Sequence, residues 1–266
     1  MSTVAHGVRS SRRHPSSVGV GLTWLLLCTT VGLEIAYPLV DGAWLHRVTI
    51  ATVVSFAATC VLHALVHRGL GWALGLVVIT VGGGLLAEAV GVRTGLPFGD
   101  YAYAGTLGAE VLDVPLVVPL AWTMMAYPVL LAARRLTRRW VVLVGAYGLF
   151  AWDVMLDPQM VGDGHWTWAD PEPGLPGVPG IPLTNYGGWL LVGALMMLVL
   201  VAVLPRDDPH RPADETVPAV LLLWTWLGYV LGNVFWFGTG SVALVGGVLF
   251  GLLVLPYVWS LWQSRP

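Results

Sequence analysis

Four carboxylic acids stand where the sequence offers them almost no water. Glu34, Glu88, Asp153 and Asp157 each fall within a long apolar stretch. A carboxylate at mid-membrane depth costs about 2.5–3.5 kcal/mol on insertion scales, so it is kept where it is paired, protonated or used. A carboxyl group away from water stays protonated and can act as an acid, whereas a better solvated one can take a proton from water. Asp153 and Asp157 are four residues apart and share one helix face; Pro158 is expected to end that helix. Thr30, Glu34 and Tyr37 form a polar stripe at helical spacing, as do Tyr229, Asn233 and Trp236. Gly84 and Gly91 lie on the face of Glu88, where small residues admit a second helix or leave room for a guest.

The chain that positions these acids has 266 residues, of which 56% are hydrophobic and 11% charged, with a mean hydropathy of +0.76. Soluble domains carry roughly 25% charged residues, which excludes a water-soluble enzyme or binding module. A formal net charge of −2 gives no basic surface for nucleic acid. All the basic residues are Arg, a compositional habit and not chemistry. Cys28 and Cys60 lie in apolar runs and read as small core residues, with no disulfide framework.

A hydrocarbon core about 30 Å thick needs about 20 apolar helical residues. Runs of that kind fall near 18–40, 48–66, 70–92, 114–133, 140–157, 187–204, 217–237 and 241–262, which predicts an all-α, polytopic membrane bundle of about eight helices, seven being the alternative. The expected organisation is a tail over 1–17, one transmembrane domain over 18–262 with outer loops at 93–113 and 157–186, and a tail over 263–266. The first run is too long for a signal-peptide core and lacks a small-x-small cleavage site, so it reads as a retained helix. With the N-terminus inside, Arg9, Arg12, Arg13, Arg68, Arg134, Arg135, Arg138, Arg139, Arg206, Arg211 and Arg265 fall inside, and Arg47 and Arg93 outside. That bias sets an N-in, C-in orientation. All four acids then lie in the outer half of the bilayer, a shared depth that argues for one site.

The outer loops are rich in Gly, Pro, Tyr and Trp, residues that make tight turns and favour the membrane interface. They read as an aromatic belt, or as a lid whose aromatics face a lipid-like ligand. His63 and His67 form an HxxxH pair far from the acids, and the seven histidines are scattered, so no metal role is expected. Pro115, Pro119 and Pro128 suggest a broken fourth helix of the kind transporters use.

The run Glu88, Gly91, Thr94-Gly95, Pro97-Phe98-Gly99, Tyr101, Tyr103 and Leu107-Gly108 resembles the CruF-type carotenoid biosynthesis proteins. So do Asp153-x-x-x-Asp157-Pro158, His165-Trp166-Thr167-Trp168, and Gly180-Ile181-Pro182 with Asn185 and Gly188-Trp189. The motifs cover about residues 85–190; Tyr186 stands where the family pattern has Phe, a departure that touches no chemistry. The second loop also carries an extra Pro/Gly stretch from Pro171 to Pro179. The resemblance implies a membrane carotenoid hydratase, of the bisanhydrobacterioruberin hydratase kind. Such an enzyme adds water across a terminal isoprenoid double bond of an acyclic carotenoid to give a tertiary alcohol. It also implies a cell-membrane location, with the carotenoid, water and lipids as partners, alongside other carotenoid biosynthesis enzymes.

Hydrating a trisubstituted alkene needs an acid to protonate the less substituted carbon, then water to capture the tertiary cation. That scheme requires neither metal nor nucleotide. Asp153 or Glu88, as the deeper acids, are the expected proton donors, with Asp157 activating water and Glu34 tuning their protonation. Tyr101, Asn185 and Asn233 are expected to hold the water and Tyr103 to line the substrate site. Trp122, Trp152, Trp189 and Trp236 offer aromatic faces to the cation, each worth up to about 2 kcal/mol when desolvated. Two other readings remain: a prenyltransferase holding magnesium and a diphosphate on Asp153 and Asp157, and a proton-coupled transporter with the acids as its relay. The first would want basic residues near the acids; the second would want inverted repeats and acids spread through the membrane.

Overall fold

A computed structural model describes residues 15–208 and 212–264. Among them, eight helices are long and apolar enough to cross a membrane: α1 (Ser17–Ala36), α2 (Gly42–Arg68), α3 (Leu70–Thr94), α4 (Val117–Leu136), α5 (Val141–Gly162), α6 (Leu183–Val203), α7 (Thr216–Phe235) and α8 (Gly240–Gln263). The chain is an all-α, multi-pass membrane protein. Arg9, Arg12, Arg13, Arg211 and Arg265, which enter the orientation argument, lie outside the described residues.

Burial sorts the helices into layers. In α4 every residue from Trp122 to Ala133 is buried, as expected of a helix apolar on all sides. It packs against α2, α3, α5, α7 and α8, while α5 packs against α6 and α8. The outer helix α1 buries mainly Thr23, Leu27 and Thr30 against α2 and leaves Leu22, Leu25 and Ile35 on the flank. Cys60 is buried as expected, but Cys28 is exposed on α1 and is no core residue.

Two proline expectations are corrected. Pro128 does not break the fourth helix: α4 runs unbroken from Val117 to Leu136. A proline has no N–H for the carbonyl four residues back, here Met124, and the Cys60 thiol from α2 donates to that carbonyl at 3.3 Å. Nor does Pro158 end its helix; α5 continues to Gly162, with Asp163 as its cap. The extra turn carries Gln159 and Met160 toward the site.

The end of the bundle that holds the four acids is closed by short strands. β1 (Tyr101–Tyr103) and β4 (Trp166–Trp168), from different loops, form an antiparallel pair with Tyr101 opposite Trp168 and Tyr103 opposite Trp166. β2 (Glu110–Val111) pairs with β3 (Val114–Pro115), and β5 (Gly174–Leu175) with β6 (Val178–Pro182). The loops therefore carry strand structure, which the sequence reading did not foresee. At the opposite end, arginines tie the helices together. Arg68 pairs with Asp207 at 2.7 Å, Arg134 donates to the Leu204 carbonyl at 2.6 Å, and Arg135 donates to Ser260 Oγ at 2.8 Å. His63 and His67 are at that end too, stacked on each other, with His63 Nδ1 2.6 Å from the Tyr127 hydroxyl.

Candidate active site

Period-two alternation explains the roof of the site. In β1 and β4 alternate side chains point the same way, so Tyr101, Tyr103, Trp166 and Trp168 form one aromatic surface, and all four line a cavity of about 80 Å³ beneath it. The Trp168 indole donates to the Phe98 carbonyl at 2.9 Å, and Thr106 Oγ1 lies 2.7 Å from His165 Nδ1. These bonds fasten the roof to both loops.

Glu88, from α3, lines this cavity, and the side chains hydrogen-bonded to its carboxyl are all donors. Its Oε2 accepts from Tyr101 OH at 2.6 Å and Tyr103 OH at 2.9 Å, and its Oε1 from Trp122 Nε1 at 3.0 Å. Burial, and the Glu88 carboxyl beside them, hold both phenols well above the usual tyrosine range. The glycines around Glu88 provide close packing and not space for a guest. A Cβ on Gly84 would lie 2.6 Å from the Trp122 ring, and one on Gly91 would lie 2.8 Å from the Tyr101 hydroxyl.

Across the cavity, Asp157 joins Asp153 through an amide. Asn185, on the first turn of α6, donates to Asp157 Oδ2 at 2.5 Å and Asp153 Oδ2 at 2.9 Å. Trp166 donates to Asp157 Oδ1 at 3.2 Å. Asp157 and Asn185 line the cavity, whereas Asp153 is fully buried behind them with its Oδ1 unpartnered. The Tyr186 hydroxyl is also buried without a partner, within electrostatic reach of both aspartates. This family-departing residue therefore sits closer to the acids than its sequence suggested.

Trp122 and Trp189 stack at 4.2 Å between centroids, and Trp152 stands edge-on to Trp189 at 5.7 Å. All three line the cavity. Trp152 also lines a second cavity, of about 290 Å³, with Glu34, Tyr37, Trp224, Tyr229 and Trp236. Glu34 thus shares the depth of the other acids but lies in the neighbouring chamber, with Trp224 as polar neighbour of its carboxyl. The Tyr37 hydroxyl donates to Asp163, which joins α1 to the end of α5. Asn233 lines neither cavity. It donates to the Tyr229 carbonyl and accepts from Thr239 Oγ1 at 2.5 Å, fastening the α7–α8 turn, so the structure does not bring it together with the other expected water-holding residues.

Of the residues singled out from sequence, Glu88, Asp157, Tyr101, Tyr103, Trp122, Trp152, Asn185 and Trp189 come together on the first cavity. Trp166, Trp168 and Phe98, which stood in the family-like motifs with no assigned role, line it too, and Thr49 and Met124 were not foreseen. The Trp-Thr-Trp alternation was the available signal for the first two. Among the described residues, no Arg or Lys lines either cavity, and no group of three His, Cys, Asp or Glu is placed to hold a metal ion.

Fold and site define a class: a multi-pass membrane protein that encloses acidic groups in an aromatic chamber under a two-loop lid. The chain belongs to the carotenoid biosynthesis protein family, which it matches over residues 42–254. It is similar to the bisanhydrobacterioruberin hydratase of Haloarcula japonica, 33% identical over 176 residues, or 61% of this chain and 57% of that protein. The match thus spans little more than half of that relative's length. No solved structure matches the chain.

Proposed function

We propose that this protein is a carotenoid hydratase of the cell membrane, adding water across the terminal double bond of an acyclic end group. The observation that carries the reading is that Glu88 and Asp157 face one aromatic-walled cavity beneath the lid. The relative's name supports the substrate class. An engineered apolar cavity of about 150 Å³ takes up benzene, so about 80 Å³ excludes a whole polyene and leaves room for no more than its tip.

The chemistry divides between the two sides of the cavity. Two carboxyl groups meeting on one amide share a proton more readily than they bear two charges. Asp157, backed by Asp153, is therefore the proton donor to the less substituted alkene carbon. Asp153 acts through Asp157, since it does not reach the cavity. The tertiary cation that forms lies among Trp122, Trp152 and Trp189. Glu88, held by three donors, is placed as the base: it takes a proton from the captured water as the C–O bond closes. The alkene gains one H and one OH, and the proton on Glu88 returns to the Asp157 side before the next turnover. Neither metal nor nucleotide enters any step. A diphosphate carried on Asp153 and Asp157 would find no Arg or Lys side chain to meet it, because none is among the residues that line the cavity.

The test is pigment analysis in a host whose membranes accumulate an acyclic carotenoid. The expected product is heavier by one water and carries a tertiary hydroxyl. Unchanged pigment, or pigment lengthened by isoprene units, rejects the reading.

A further inference from the structure

We propose that the larger, Glu34-bearing cavity is the berth and entrance for the conjugated chain of the polyene, which reaches the reaction cavity past Trp152. This rests on the hydratase reading for the chemistry at the far end, but the berth itself is argued from shape.

Three observations converge. First, the reaction cavity is roofed on the aqueous side by Tyr101, Tyr103, Trp166 and Trp168, so an oily substrate has no route through the lid. Second, the two cavities share a wall: Thr49, Val53, Met124, Trp152, Leu156 and Met160 line both. Met side chains are flexible and repack around irregular guests, which makes the Met124–Met160 part of that wall the passable one. Third, Ile35, Leu231 and Trp236 line the second cavity and are also exposed on the flank of the bundle. The cavity therefore reaches the surface that faces lipid, between α1 and α7. About 290 Å³ is roughly twice a benzene-sized cavity, enough for a stretch of chain but not for its whole length. The remainder of the polyene lies along the flank in the bilayer, the medium from which it comes.

Gly228 offers a clean plug. It lines the cavity, and a Cβ added there meets nothing within 4 Å, so a larger side chain grows into open space. The protein is reconstituted in lipid nanodiscs and titrated with lycopene. An achiral polyene acquires circular dichroism when a chiral cavity holds it, and this signal reads binding apart from turnover. Gly228→Leu and Leu231→Trp are expected to weaken binding about tenfold or more. Asp157→Asn should bind as the unaltered protein does while losing hydration. Gly82→Leu, on an exposed part of α3 with equal space for a Cβ, should match the unaltered protein in both readouts. Two plugging variants guard against one failing to insert. Unaltered lycopene binding in an inserted plugging variant overturns the berth and leaves the hydratase reading standing. Binding that the plugs abolish, in a protein that never hydrates the pigment, supports the berth and removes that reading.

Discussion

Glu88→Gln separates the chemistry of the site from its architecture. The carboxyl accepts three hydrogen bonds, two from phenols on Oε2 and one from the Trp122 indole on Oε1. An indole N–H can only donate, so the amide oxygen of the variant must face Trp122 and its NH₂ must face the two tyrosines. Each phenol then turns from donor to acceptor and its own proton needs a new partner. Tyr101 has one in reach, the Glu88 backbone carbonyl at 3.4 Å; the Tyr103 proton has only the neighbouring Tyr101 hydroxyl to turn to. One buried donor without an acceptor costs about 1–3 kcal/mol, too little to prevent assembly of an eight-helix bundle. Loss of the proton acceptor is worth about 10²–10⁴ in rate if Glu88 is the base. The variant should therefore insert, melt a few degrees lower and convert pigment at least about a hundredfold more slowly, as read by time-resolved pigment extraction and thermal unfolding of the purified protein. Tyr103→Phe deletes one donor and keeps the carboxyl, so it should lose about tenfold or less. Conversion by Glu88→Gln at the unaltered rate, with the protein inserted, refutes the base assignment.

Three further outcomes test the rest of the site. Asp157→Asn should abolish hydration, since Asp157 faces the cavity, whereas Asp153→Asn should retain a residual rate because Asp153 acts from behind; equal rates for the two would remove that order. Tyr186→Phe removes a buried hydroxyl that has no partner, so thermal unfolding should show about 1–3 kcal/mol of added stability, with conversion held within about twofold; a destabilised variant would mean the hydroxyl is bonded after all. The lid should loosen in acid. Burial, with the neighbouring His46, holds His165 down at about 4 from its ordinary 6.5. The closed lid thus binds fewer protons than an open one, and its stability falls as pH drops from about 6.5 toward 4. Protection from hydrogen exchange over 163–182, taken relative to the intrinsic rate at each pH, should fall across that window and not above it, and a flat protection profile would contradict the assignment.

What was legible in the sequence follows from what apolar periodicity and length encode. Eight spans can be counted because each helix must satisfy its own backbone in lipid, and that needs only local sequence. The lid is different. Tyr101–Tyr103 and Trp166–Trp168 are three residues each, too short to read as strands alone, and each gains its partner only when the chain has brought two distant loops together. The proline expectations failed for a related reason. Pro128 does free the Met124 carbonyl, as its chemistry demands, but a thiol on another helix satisfies it, and no local rule contains that thiol.

The four acids show the same boundary within one site. Hydropathy reports how deep a residue lies along a helix, so the shared level of Glu34, Glu88, Asp153 and Asp157 could be read from the chain. It does not report azimuth, the direction in which a side chain leaves the helix, because that is set by what packs beside it. Trp152 is one of six residues that line both cavities, a wall that keeps Glu34 apart from Glu88 and Asp157. The consequence is chemical as well as geometric. With Glu34 on the far side, the proposed reaction is left with Glu88 opposite the Asp153–Asp157 pair, which is the smallest set that could both give a proton to an alkene and take one from water. A tryptophan that reads in the sequence as one more aromatic face for a cation is thereby also part of the wall between the proposed reaction cavity and the proposed berth of the chain.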